Sequence, residues 1–230
     1  MNVVITGASK GLGKAIAEKF ATAGADLYLC SRNMDSTIPW QQELMAKYNI
    51  SISSANVDLR NKSEIADFAK HVLQAFENID ILVNNAGQFE PGSIYNEGDG
   101  VLEQMMEVNM YSAYYLTRAV LPAMMKQKEG HIFNICSIAA LNAYPNGGSY
   151  SISKWAMRGF SENLRYELKS YGIKVTAVHP GATMTDSWKG MDPKRIMEAG
   201  DIADMIYSAS KLSPQACVEE IILRPQLGDL

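Results

Sequence analysis

A tyrosine and a lysine four residues apart, Tyr150 and Lys154, follow Ser137 in the middle of the chain. On a helix that spacing puts both side chains on one face. An ammonium held beside the phenol would lower its pKa from the ordinary value near 10. Bringing it to about 7 takes roughly 4 kcal/mol of differential stabilisation, at about 1.36 kcal/mol per unit. Ser137 could then hold a carbonyl oxygen within reach of the phenol proton. The three residues are acid–base apparatus for interconverting a carbonyl and an alcohol, given a hydride from elsewhere. The same spacing recurs at Tyr207 and Lys211, with no supporting serine nearby. There a half-buried tyrosine and a solvated lysine on a surface helix is the plainer reading.

A hydride needs a carrier, and the first turn of the chain could hold one. Residues Thr6 to Gly13 follow a short apolar run and open a helical one. Gly7, Gly11 and Gly13 allow a tight turn and close approach of the backbone to a pyrophosphate, whose charge meets the helix-start amides. Ser9, Lys10 and Leu12 complete the loop. The glycines could also serve a strand-to-helix turn alone; their place after the first strand favours the phosphate cradle. The second strand closes on Ser31 and Arg32, with no acidic residue at 29–33. An acid there would take the ribose 2′-hydroxyl of NAD, whereas an arginine accommodates a 2′-phosphate. Arg32 and Lys10 therefore favour NADP(H) over NAD(H); the plain alternative is two solvated cations. Asp58, before Leu59, could accept from an adenine amino group or simply start a helix. Asn85, Ala86 and Gly87 suit packing against a ribose, and also suit a turn.

These residues must be brought together by a repeating framework. Short β-rich runs at Val3–Thr6, Asp26–Cys30, Ile52–Val57, Ile81–Val83, His131–Cys136, Lys174–His179 and Val218–Leu223 alternate with helical patterns. The helical patterns cover Leu12–Ala23, Thr37–Tyr48, Ser63–Phe76, Val101–Lys126, Ser151–Tyr171 and Gly200–Lys211. Strands apolar on both faces belong in a parallel sheet covered by helices. The expectation is an α/β fold: a single-domain, Rossmann-like, doubly wound parallel sheet of about seven strands over 1–230, with helices on both faces. The least regular stretches, Asn142–Gly148 and Thr183–Gly200, both follow strands, on the edge where ligands of such folds bind.

The 230 residues and 25.3 kDa suffice for one medium domain. Apolar residues make up 47% and charged residues 20%, with net charge −4, so a globular core is affordable without a charged partner. No Lys/Arg run recommends nucleic acid or an anionic membrane, and no apolar stretch reaches spanning length. Asn2–Thr6 reads directly as a first strand, leaving no room for a signal peptide. Cys30, Cys136 and Cys217 are scattered and read as buried reduced thiols of a cytoplasmic protein. His71, His131 and His179 are isolated, so no metal site is expected.

In order and spacing, the Thr6–Gly13 loop, Asp58, Asn84–Gly87, Asn109, Ser137, Tyr150, Lys154 and Pro180–Gly181 resemble the short-chain dehydrogenase/reductase family over essentially the whole chain. The stretch Val218–Pro225 and the residues from Trp188 look like its bacterial sepiapterin-reductase-like members; 3-oxoacyl and carbonyl reductases of the family are also similar. The resemblance implies a catalytic tetrad of Asn109, Ser137, Tyr150 and Lys154. It implies that Lys154 holds the nicotinamide ribose and that Asn109 holds a water linking Lys154 to solvent; the blander role for Asn109 is satisfying backbone groups at a helix kink. It implies further that Pro180, Gly181, Thr183 and Thr185 meet the nicotinamide carboxamide, although the family often has valine where this chain has Thr183. Ser137, Tyr144, Met184 and Trp188 are the candidate substrate contacts. The helices in Val101–Lys126 and Ser151–Tyr171 would form a homodimer or homotetramer interface, though packing on the sheet accounts for them equally.

The leading expectation is an NADPH-dependent reductase that converts a carbonyl to a secondary alcohol, or the reverse. A sepiapterin-like pterin reductase is one alternative, and a non-catalytic NADP(H) sensor is another of a different class. A serine hydrolase fares poorly: Ser149 lies near glycines, but no Gly-x-Ser-x-Gly elbow is present.

Overall fold

The computed structural model describes residues 1–185, 190 and 192–229. Seven strands form one parallel sheet: β1 (Asn2–Thr6), β2 (Asp26–Ser31), β3 (Ile52–Asn56), β4 (Ile81–Asn84), β5 (Gly130–Ile135), β6 (Ile173–Pro180) and β7 (Glu220–Leu223). Their spatial order is β3-β2-β1-β4-β5-β6-β7. The chain winds outward from β1 through β2 to β3, then returns to β4 on the other side of β1. The crevice between β1 and β4 is therefore the switch point, where loops leaving neighbouring strands diverge and admit a ligand.

Alternation along each strand builds a core on both faces. In β1, Val3 and Ile5 pack into one layer and Val4 into the other. The first layer is covered by α1 (Gly11–Thr22) and α7 (Ala199–Ser210), through Ile16, Phe20, Ile202 and Ile206. The second is covered by α3 (Lys62–Ala75), α5 (Ser112–Gln127) and α6 (Gly148–Leu168), through Phe68, Val72, Leu116, Val120 and Leu164. Helix α2 (Ile38–Tyr48) contributes Leu44 to the first layer.

Each expected strand is present, with ends shifted by up to a few residues. The expected helix 101–126 is not continuous. It is α4 (Val101–Met106), a five-residue π-helical segment Glu107–Tyr111, and α5. Widening the turn re-aims the side chain at its centre, and that side chain is Asn109, fully buried. Cys30 and Cys136 are buried as expected, but Cys217 is exposed, because it lies before β7 begins. Among the described residues, no helix is long and apolar enough to cross a membrane.

Candidate active site

The glycine loop is welded to the ends of two other strands. Ala8 N donates to Cys30 O of β2 (3.1 Å). Thr6 Oγ1 accepts from the amides of Asn85 and Ala86, both at 3.0 Å. Asn85 Nδ2 in turn donates to Thr6 O (2.9 Å) and Gly7 O (3.1 Å). A Cβ on Gly13 would stand 2.3 Å from Gly7 O and 2.5 Å from Asn85 Nδ2, so only glycine lets the first turn of α1 close onto the loop. The result is a rigid concave backbone at the start of α1, with helix-start amides facing the switch point. That donor set fits a dinucleotide pyrophosphate.

At the outer end, Lys10 and Arg32 are both exposed, and Ser31 is buried. Asp58 is held by Arg60, which donates Nε to Oδ1 (3.0 Å) and Nη2 to Oδ2 (2.5 Å). Those bonds pull its carboxyl down to about 2, and Arg32 adds a weaker attraction. The carboxylate is thus ionised and partly occupied, with lone pairs left for an adenine amino group. Leu59 beside it is buried in the second layer.

At the inner end, the residues expected to do chemistry converge. Ser137 ends the stretch after β5, with its Oγ accepting from Ala139 N (3.1 Å). Tyr150 and Lys154 lie one turn apart on α6. Tyr150 lines the same cleft as Ser137, and Phe89 packs edge-on against its ring at 4.9 Å. Lys154 is 4% exposed, and its Nζ donates to Ile135 O at 2.9 Å. A Cβ on Gly87 would stand 3.2 Å from Asn109 Oδ1 and 3.4 Å from Lys154 Nζ, so the missing side chain is what lets the β4 loop approach the lysine. Asn109 clamps that loop: its Oδ1 accepts from Gln88 N (2.7 Å), and its Nδ2 donates to Gln88 O (3.0 Å) and Ser153 Oγ (2.9 Å). The amide does satisfy backbone groups at a helix irregularity, and the groups belong to the cleft wall.

The electrostatics differ from the expectation of a phenol acidified by its lysine. Burial pushes Tyr150 up to about 12, opposed by the Ser137 hydrogen bond. Burial also pushes Lys154 down to about 8. The ammonium lies 5.7 Å from the centre of the tyrosine ring and bonds Ile135 O, so desolvation outweighs its attraction for a tyrosinate. The expected pair Tyr207 and Lys211 is separate from all this. Tyr207 packs edge-on against Phe20, 5.6 Å away, with Lys211 exposed.

One cleft, of about 380 Å³, is lined by Leu12, Gly87, Ser137, Tyr144, Tyr150, Lys154, Pro180, Gly181, Thr183 and Thr185 among others. Met184 does not line it; its amide is tied to Met197 O (2.8 Å). Trp188 lies outside the described residues. Phe89, Arg224 and Asp229 line the cleft without having been expected there. Nothing local marks Phe89. Thr6 and Ser153 were also missed as supports; a hydroxyl ending an apolar strand and a serine beside Lys154 were the available signals.

The doubly wound sheet, glycine cradle and switch-point cleft define a dinucleotide-binding Rossmann fold. The model of the short chain dehydrogenase family matches residues 1–196. A sepiapterin reductase of Chlorobaculum tepidum is 32% identical, covering 99% of this chain and 97% of its own. Among solved structures, a metagenomic short-chain oxidoreductase in complex with NADP is 33% identical with a TM-score of 0.86, covering 98% of this chain and 97% of its own. An alcohol dehydrogenase from the archaeon Thermococcus sibiricus, complexed with 5-hydroxy-NADP, is 28% identical with a TM-score of 0.92, covering 98% and 96%. The chain belongs to the short-chain dehydrogenase/reductase family and is an oxidoreductase of that family.

Proposed function

We propose that the protein is an NADPH-dependent carbonyl reductase acting on a small molecule through Asn109, Ser137, Tyr150 and Lys154. The observation that carries this reading is the convergence of Ser137, Tyr150, Lys154 and the Gly87 loop on one cleft. The cofactor, when bound, supplies a hydride to the carbonyl carbon. Ser137 Oγ donates to the carbonyl oxygen as charge develops there. Tyr150 delivers its proton to that oxygen, and the alcohol forms; the reverse direction returns the proton to Tyr150. With its pKa raised to about 12, Tyr150 is protonated at neutral pH and so carries the proton that reduction requires. Lys154 is positioned to hold ribose hydroxyls and to stabilise the tyrosinate left after transfer. Asn109 keeps the Gln88 backbone, and with it the wall beside Lys154, in place.

Binding of the adenine half falls to the glycine loop with Ser9, Lys10 and Leu12, to Ser31 and Arg32, and to Asp58 and Leu59. Asn85, Ala86 and Gly87 take the ribose. Pro180, Gly181, Thr183 and Thr185 take the nicotinamide end. Arg32 follows β2, where a 2′-phosphate would be met, with no acid at 29–33, and this supports a preference for NADPH. The exposed Leu102, Tyr111, Ile152 and Trp155 support a homo-oligomer through the α4–α5 and α6 helices. The likeness to a sepiapterin reductase puts pterins in the substrate panel.

The test is NADPH oxidation by the purified chain over ketones, diketones and pterins. Tyr150→Phe should lower kcat by about 100-fold or more while leaving NADPH binding, read by fluorescence titration, within a few-fold. Wild-type turnover in that variant would sink the mechanism.

A further inference from the structure

We infer that Arg224 anchors a carboxylate on the substrate, and that Asp229 of this same chain holds the anchor's position as an internal competitor. The inference deepens the carbonyl-reductase reading and rests on it: the substrates become short oxo or hydroxy acids.

The segment after β7 is carried back over the cleft. Leu223 O accepts from Gly181 N (2.8 Å), which fixes the end of β7 beside the Pro180–Gly181 turn. A tight turn follows, with Gly228 N donating to Pro225 O (2.9 Å). The reversal brings the Asp229 carboxylate onto Arg224 Nη1. It also lays the segment against Gly181, where a Cβ would be 3.0 Å from Pro225 Cδ and 3.3 Å from Asp229 Oδ1. The other edge of the guanidinium is held separately. With the Asn142 amide oriented so that its nitrogen donates to Leu141 O (3.1 Å), its oxygen accepts from Arg224 Nη2 (3.1 Å). Asn142 follows the short 3₁₀ turn Ile138–Ala140 that begins at Ser137. One fold segment thus positions both the serine of the reacting centre and the arginine.

Charge decides what this arrangement would take. Among the described lining residues the charged ones are Lys154, Arg224 and Asp229. Lys154 is buried and turned to Ile135 O. Without Asp229 the cleft would present one accessible cation, a planar fork that matches a carboxylate. The Asp229 carboxylate occupies this fork from within the chain. Both partners are about one-third exposed, at 36% and 37%. Ion pairs exposed to that degree contribute little to stability, so a substrate carboxylate can displace Asp229 at small cost. The cleft is about 380 Å³ and must also admit the nicotinamide end, which restricts the acid to a few carbons. If the pair merely pinned the segment to the body, its removal would affect acidic and neutral substrates alike.

The matched probes are acetoacetate and methyl acetoacetate, assayed with NADPH on the full chain. The wild type should favour the acid in kcat/KM by about tenfold or more. In Arg224→Gln the acid-to-ester ratio should fall about tenfold, Arg224→Lys should retain part of it, and Asp229→Asn should raise it a few-fold through a lower KM for the acid. A wild-type ratio near one, or equal losses on both substrates in Arg224→Gln, overturns the anchor. An unchanged KM for the acid in Asp229→Asn overturns the competitor. Calorimetric titration of acetoacetate into the NADP⁺-loaded Tyr150→Phe protein reads the anchor without turnover. There Arg224→Gln should weaken binding at least about tenfold, and undiminished binding refutes the anchor even if no substrate is reduced. Turnover surviving in Tyr150→Phe would sink the proton-transfer reading and leave the carboxylate result standing, so the two failures are distinguishable.

Discussion

Replacing Lys154 by methionine should make the cofactor-free protein more stable at pH 7 while removing its turnover. Burial depresses the lysine from 10.5 to about 8. At about 1.36 kcal/mol per pH unit, that gap is an unfavourable contribution of about 3 kcal/mol whenever the lysine is charged in both folded and unfolded states. Methionine fills much of the same volume without a charge. It also forfeits the bond from Nζ to Ile135 O (2.9 Å), a loss of about 1–2 kcal/mol. The expected net gain is about 1–2 kcal/mol, or roughly 2–8 °C in Tm for a chain near this size. The pH dependence separates this cause from ordinary repacking. A base whose folded pKa lies below its unfolded one costs the full amount below about pH 8. The cost fades as pH rises through 8 toward 10.5, because the folded lysine has by then lost its proton and the unfolded one is losing it. At pH 10 less than about 1 kcal/mol remains. Urea unfolding of both proteins at pH 7 and pH 10 reads this directly. The advantage of Lys154→Met should be present at pH 7 and shrink or reverse at pH 10. A variant that is less stable at pH 7, by an amount unchanged at pH 10, would refute the reasoning.

Two further outcomes follow from the cradle. Thr6→Val keeps the shape of the side chain but strips the acceptor shared by Asn85 N and Ala86 N. With about 1–3 kcal/mol for each of the two amides left unpaired, the urea midpoint should drop by the equivalent of about 2–6 kcal/mol, and NADPH binding should weaken; a neutral result would show that the loop is not held by this hydroxyl. Arg32→Asp should reverse cofactor preference, weakening NADPH by at least about tenfold while improving NADH. Fluorescence titration checks it, and equal affinity of the wild type for both cofactors would defeat the assignment.

Much of the fold is legible because it depends on local pattern. Parallel strands apolar on both faces read as short unbroken runs, and helices of 3.6-residue period separate them, so all seven strands could be located. Thr6–Gly13 is legible because its glycines meet backbone constraints close in sequence. Ser137, Tyr150 and Lys154 are recognisable by residue type and order. The π-helical segment around Asn109 is not legible in this way. A continuous apolar period runs through 101–126, and the widened turn follows from an amide reaching Gln88, 21 residues away. Phe89 and the Arg224–Asp229 pair are invisible for the same reason, since each meets the cleft only through neighbours distant in the chain.

The sequence by itself determined the kinds of group available: a glycine cradle, a serine, a tyrosine and a lysine on one helix face, and a cation at the end of β2 with no acid beside it. The tertiary structure decided their energetics. Tyr150 and Lys154 share a face, yet helical proximity alone does not acidify the phenol, because burial acts on both groups and the ammonium is engaged by Ile135 O. Whether a charge stabilises its neighbour depends on how much water surrounds the two and which other groups hold them. Those quantities are set by packing among residues far apart in the chain, and so is the return of Arg224 and Asp229 to the mouth of the cleft.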